Sequence, residues 1–145
     1  MPMMIEHIDA IARRKQRDVL YLTFIDPDAQ IDPLQGVAEP VEINWQTLPI
    51  RQTIIDWLDE HQIGWNPCMH VASVYLMMGY RGQIYIDVAY DTELPIYQTL
   101  ASYLEFPDGT MKFPEVVFWL LPLEKAMKNA EHDEPGFWER WAEKF

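Results

Sequence analysis

Two short apolar runs, "DVLYLTFI" at 18–25 and "EVVFWLLP" at 115–122, constrain the fold more than any other feature of this sequence. Each is dense in β-branched and aromatic residues and too short for an ordinary amphipathic helix. The second is bracketed by Pro114 and Pro122, which end a strand cleanly and would break a helix. Both runs read as strands.

Five helices are expected around these runs. Ile5, Ile8, Ile11 and Ala12 recur at helical spacing, followed by the basic cluster Arg13, Arg14, Lys15 and Arg17 at the C-terminal end, where positive charge suits the helix dipole. "LPIRQTIIDWLDEHQIG" offers Thr47 as a cap, Pro49 in the first turn, an apolar face of Ile50, Ile54, Trp57 and Leu58, and Gly64 as a stop. "ELPIYQTLASYLEF" puts Tyr97, Leu100, Ala101 and Leu104 on one face before "PDG". Between the last two, "HVASVYLMM" and "QIYIDVAY" around "GYRG" read as an antiparallel hairpin. A short helix around "LEKAMKNA" and a C-terminal aromatic helix over 135–145 follow the last strand.

Without the terminal helices the order is β, α, β, β, α, β. That order predicts a ferredoxin-like, split βαβ α+β fold, with a four-stranded antiparallel sheet and both core helices on one face. The 145 residues form a single expected domain, 1–145, long enough to bury a core without staples. One stretch resists a regular element. Residues 26–47 hold three prolines and five carboxylates and read as a long acidic loop, of the kind that is more often functional than a neutral connector.

Charge separates the candidate functions. The formal net charge of −12 exceeds the magnitude of about 2–8 that keeps a small domain soluble. Such a field repels phosphate backbones and attracts basic surfaces. "RGQIYIDV", 81–88, resembles the third strand of RNA-recognition motifs: Arg81, Gly82, Tyr85 and Ile86 match that pattern, whereas Gln83, Ile84 and Val88 depart from it. "LYL" at 20–22 resembles the other stacking strand of that family. The resemblance implies single-strand nucleic-acid binding on an open sheet face by Tyr21 and Tyr85, with Arg81 at the rim and Asp87 beside the ring. The acidic field and the loss of a ring at Gln83 argue against it.

Metal and catalytic signals are sparse. Asp26, Asp28 and Asp32 lack the glycine and glutamate of a calcium hand. Cys68 and His70 supply two metal-ligand types without a recognisable second pair, and as nucleophile and base they lack an orienting third group. His132 sits among acids in "EHDE", where Asp133 reads as a cap for the last helix. No cofactor or metal is expected, and an enzyme with a site invisible to local motifs is the weaker alternative.

The preferred expectation is a small acidic domain that binds a basic protein partner, as adaptors, inhibitors and immunity-type proteins do. Its candidate contacts are Asp26, Asp28, Asp32, Glu39 and Glu42 in the loop, with the aromatic anchors Trp45 and Trp138. Glu6 and Asp9 interrupt any leader-like apolar core, and no apolar run approaches the roughly 20 residues of a membrane span. A cytoplasmic location without membrane contact is therefore expected, and a homodimer on the open sheet face is compatible with the pattern.

Overall fold

The computed structural model describes residues 5–25, 45–72 and 80–144. The elements run α1 (Ile8–Lys15), β1 (Val19–Phe24), a 3-10 turn (Trp45–Thr47), α2 (Pro49–Glu60), β2 (Trp65–Pro67), β3 (Ile84–Ile86), α3 (Pro95–Leu104), β4 (Val116–Leu121), α4 (Leu123–Met127), a second 3-10 turn (Ala130–Asp133) and α5 (Phe137–Ala142). This is an α+β fold on one four-stranded sheet of order β2-β3-β1-β4, antiparallel at every pairing.

The alternation of the two central strands sorts the core into two layers. Leu20, Leu22 and Phe24 of β1 join Ile84 and Ile86 of β3 on one face, under Ile54 and Leu58 of α2 and Leu100 and Leu104 of α3. On the opposite face Val19, Tyr21, Tyr85 and Leu121 pack with Ile8, Ile11 and Ala12 of α1, Ala126 of α4 and Cys68. The two central strands are thus covered on both faces. Continuous burial along β1 follows, and it explains why "VLYLTF" lacks polar alternation.

Helix ends differ in detail from the sequence expectation. Leu48, not Thr47, occupies the N-cap position of α2, and Pro49 takes the first turn, where its missing N–H is no loss. The left-handed stop after α2 is Gln62 at φ 57°, two residues before Gly64. Ile63 N–H returns to Leu58 O at 2.9 Å and seals that end.

The expected hairpin is displaced. β3 pairs with Trp65–Pro67, in the register Asn66↔Tyr85, whereas His70, Val71 and Ala72 form no strand and 73–79 lie outside the described residues. Cys68 N–H bonds Gln83 O at 3.1 Å and Asp87 N–H bonds Gly64 O at 2.8 Å, so Trp65 and Pro67 turn their backbone groups away from β3. A proline is tolerated there because its position asks nothing of the ladder.

Candidate functional site

Stacking of bases on Tyr21 and Tyr85 requires both rings to be exposed on one face. Tyr21 and Tyr85 are direct cross-strand partners, but they are only 8% and 7% exposed. α1 lies over them, and burial raises the Tyr21 hydroxyl above its ordinary range, with a smaller push from Cys68. The Tyr85 hydroxyl accepts from Asn66 Nδ2 at 3.2 Å, and Lys15 Nζ stands 5.6 Å from the Tyr85 ring centre. The open stacking face expected from the RNA-recognition resemblance is therefore corrected. A helix covers it because Ile8, Ile11 and Ala12 need an apolar surface, and the sheet face carrying these rings supplies one.

The flanking charges are committed within the fold. Asp87, also placed on the expected open face, holds Lys15 at 3.1 Å and pairs with Arg17. Partial burial opposes its ionisation, but Lys15 and Arg17 outweigh that and hold its carboxyl below the ordinary range. Arg14 pairs with Glu6 at 2.9 Å. Arg81 is half-buried, and its backbone N–H donates to Gln83 Oε1 at 2.7 Å. The basic cluster at the end of α1 is thus neutralised inside the chain.

Beneath it lies a buried polar network. Asp9 is fully buried and accepts from Arg13 Nη1 at 3.1 Å, Ala72 N–H at 3.0 Å and Asn129 Nδ2 at 3.0 Å. Arg13 also donates to Ala126 O at 3.0 Å and, through two nitrogens, to Asp133 at 2.7 and 2.8 Å. The Arg13 hydrogen bond holds Asp133 below the ordinary carboxylate range, against a smaller opposing effect of desolvation. Asp133 is therefore a clamp between α1 and the C-terminal segment and not the cap of α5, whose N-cap is Gly136.

The proposed anchors are packed against their own chain. Trp45 meets Tyr80 edge-on at 5.0 Å and lies 4.7 Å from the Arg51 guanidinium. Trp138 stacks on His7 at 5.3 Å and meets His132 edge-on at 5.0 Å. The C-terminal aromatic helix packs on its own chain through Trp138. Asp26, Asp28, Asp32, Glu39 and Glu42 lie outside the described residues.

Among the described residues no hydrogen bond joins the catalytic candidates Cys68 and His70. Cys68 is fully buried, and burial pushes its thiol far above the range in which a thiolate forms. His70 contributes its carbonyl, which accepts from His7 Nδ1 at 3.1 Å. Three surface depressions, of about 400, 280 and 440 Å³, carry neither Cys68 nor a histidine in their linings. Among the described residues no three His, Cys, Asp or Glu side chains converge as a metal site, and no helix is long and apolar enough to cross a membrane.

One surface feature was not singled out from the sequence. Trp57 of α2 stacks flat on Tyr103 of α3 at 4.0 Å with a 2° interplanar angle, and His61 stacks on the same indole at 4.1 Å. All three rings retain exposure, beside the exposed carboxylates of Asp56 and Glu60. Trp57 and Leu104 lie on neighbouring helices that share the core, but only tertiary packing brings Trp57 to Tyr103. No protein-family model, no curated protein and no solved structure matches this chain.

Proposed function

We propose that this chain is a protein-binding domain whose acidic surface docks a basic partner. The observation that carries the reading is the internal neutralisation of Arg13, Arg14, Lys15 and Arg17 by Asp9, Asp133, Glu6 and Asp87. Those pairs consume the one basic cluster in the sequence, while Asp56, Glu60, Glu93, Glu124, Glu139 and Glu143 stand exposed outside them. Complementary charge of this kind accelerates and orients docking. The exposed Glu60 at the end of α2, close enough to raise the Tyr103 hydroxyl further after burial has done so, offers a lysine or arginine a carboxylate.

The reading includes a split βαβ topology and a cytoplasmic location. Central β1 and β3, antiparallel neighbours throughout, and α2 and α3 over the same sheet face support the first. A single buried cysteine supports the second. Titration with an arginine- and lysine-rich peptide at low and high salt tests the docking, with Asp56→Lys/Glu60→Lys as the comparison. Affinity that falls steeply with salt and is lost in the double variant is expected; binding insensitive to both contradicts an electrostatic surface.

A further inference from the structure

We propose that β4 is a dimerisation edge, pairing antiparallel with β4 of a second copy of this chain across a two-fold axis. This inference is independent of the acidic-surface reading. The two edges of the sheet are built differently. β2 has three residues, with Pro67 in an outward-facing backbone position, a short and blunted edge. β4 has six, pairs with β1 without a bulge from Val116↔Phe24 to Leu121↔Val19, and has no strand beyond it among the described residues.

Ile25 N–H donates to Glu115 O at 2.8 Å, so by antiparallel alternation the odd-numbered residues of β4 face β1. Phe118 and Leu120 consequently turn their backbone N–H and C=O groups outward. Trp119 and Leu120 are 46% and 36% exposed. Trp119 is also held in place, stacked on Tyr21 at 6.1 Å with its Nε1 donating to Thr23 Oγ1 at 2.8 Å, so little order remains to be gained on association.

Charge selects the occupant. "VVFWLL" carries no ionisable side chain in a chain of net charge −12. A basic partner finds no carboxylate along it, whereas a second copy approaches without setting carboxylate against carboxylate. A two-fold axis lays this apolar row against itself, which places aromatic and β-branched side chains as cross-strand pairs.

The test is sedimentation velocity of the full chain over an about hundredfold range of concentration, with hydrogen exchange at both ends of that range. A monomer–dimer equilibrium is expected, with exchange at the Phe118 and Leu120 amides slowed more than about tenfold in the dimer. Leu120→Lys, a change at an exposed position, is expected to stay monomeric with an unchanged near-UV spectrum. A wild-type chain that is monomeric throughout overturns the proposal. So does a dimer in which those two amides exchange at the monomer rate, or protection of them that does not depend on concentration. A folded Leu120→Lys variant that still dimerises overturns it equally; should that variant not fold, exchange in the wild-type chain decides.

Discussion

Replacing Asp9 by alanine probes the network that closes the tyrosine face. Asp9 has no exposure, and three donors converge on it: the buried Arg13 guanidinium, the buried Ala72 N–H and the part-buried Asn129 amide. Removing one partner of a buried ion pair typically costs about 3–5 kcal/mol, because the other charge remains desolvated. Asp133 still holds Arg13 in the variant, which lowers the cost. The orphaned Ala72 N–H raises it again by about 1–3 kcal/mol. A loss of about 4 kcal/mol is therefore expected, a large share of the roughly 5–15 kcal/mol that stabilises a domain. In a thermal melt this corresponds to a fall of roughly 10–20 °C. Asp9→Leu/Arg13→Met, which removes both charges, is expected to lose clearly less than Asp9→Ala, and chemical denaturation of the variants measures the difference. A loss below about 1 kcal/mol in Asp9→Ala would refute the view that this cluster pins α1 and α4 over the sheet.

Three other perturbations isolate single causes. Gly82 has φ +87°, and an added Cβ would stand 2.5 Å from Trp45 Cβ, whereas Gly109 at φ +88° has nothing within 4 Å of that position. Gly82→Ala should destabilise strongly and change the Trp45 environment, while Gly109→Ala shows only the backbone penalty of about 1 kcal/mol; equal losses in thermal melts would contradict the contact. Burial lowers the pKa of His7, with Asp9 opposing and His132 and Arg13 adding, and burial likewise lowers that of His70, with Arg81 and His7 adding. Their contribution is fully present above the unfolded value near about 6.5 and is lost as pH falls below it, so denaturation midpoints should drop through that window, and His7→Phe should flatten the drop. Cys68 should resist a thiol reagent in the native chain and react on unfolding; rapid native labelling would reopen the case for a nucleophile.

Legibility in the sequence followed locality. Ile54 and Leu58 lie within one helix and Leu100 and Leu104 within another, so their spacing alone announced buried faces, and the structure buries all four. "WNP" defeated the same reasoning, since three residues with an asparagine and a proline show no period; their strand exists because β3 offers a partner. The cap at Thr47 and the stop at Gly64 failed for a related reason. Backbone hydrogen bonding chose Leu48 and Gln62 where residue preference favoured neighbours.

The candidate site divides along the same line. Alternation placed Tyr21 opposite Tyr85 on one sheet face, and the register agrees. Whether that face met water depended on where α1 folds, and the amphipathic pattern of Ile8, Ile11 and Ala12 names no docking surface. Asp133 looked like a local cap because it precedes a helix; it is instead bound to Arg13, 120 positions away.

By itself the sequence determined the α+β class, the two core helices, the two long strands and the surplus of negative charge, since each follows from composition or from periodicity within a few consecutive residues. Only the tertiary structure decided that the tyrosine face is covered, that the basic cluster is neutralised, and that among the described residues no strand pairs with the outer edge of β4. Those outcomes depend on contacts between segments far apart along the chain, and a side chain's spacing to its neighbours carries no record of the distant group that will desolvate or pair with it.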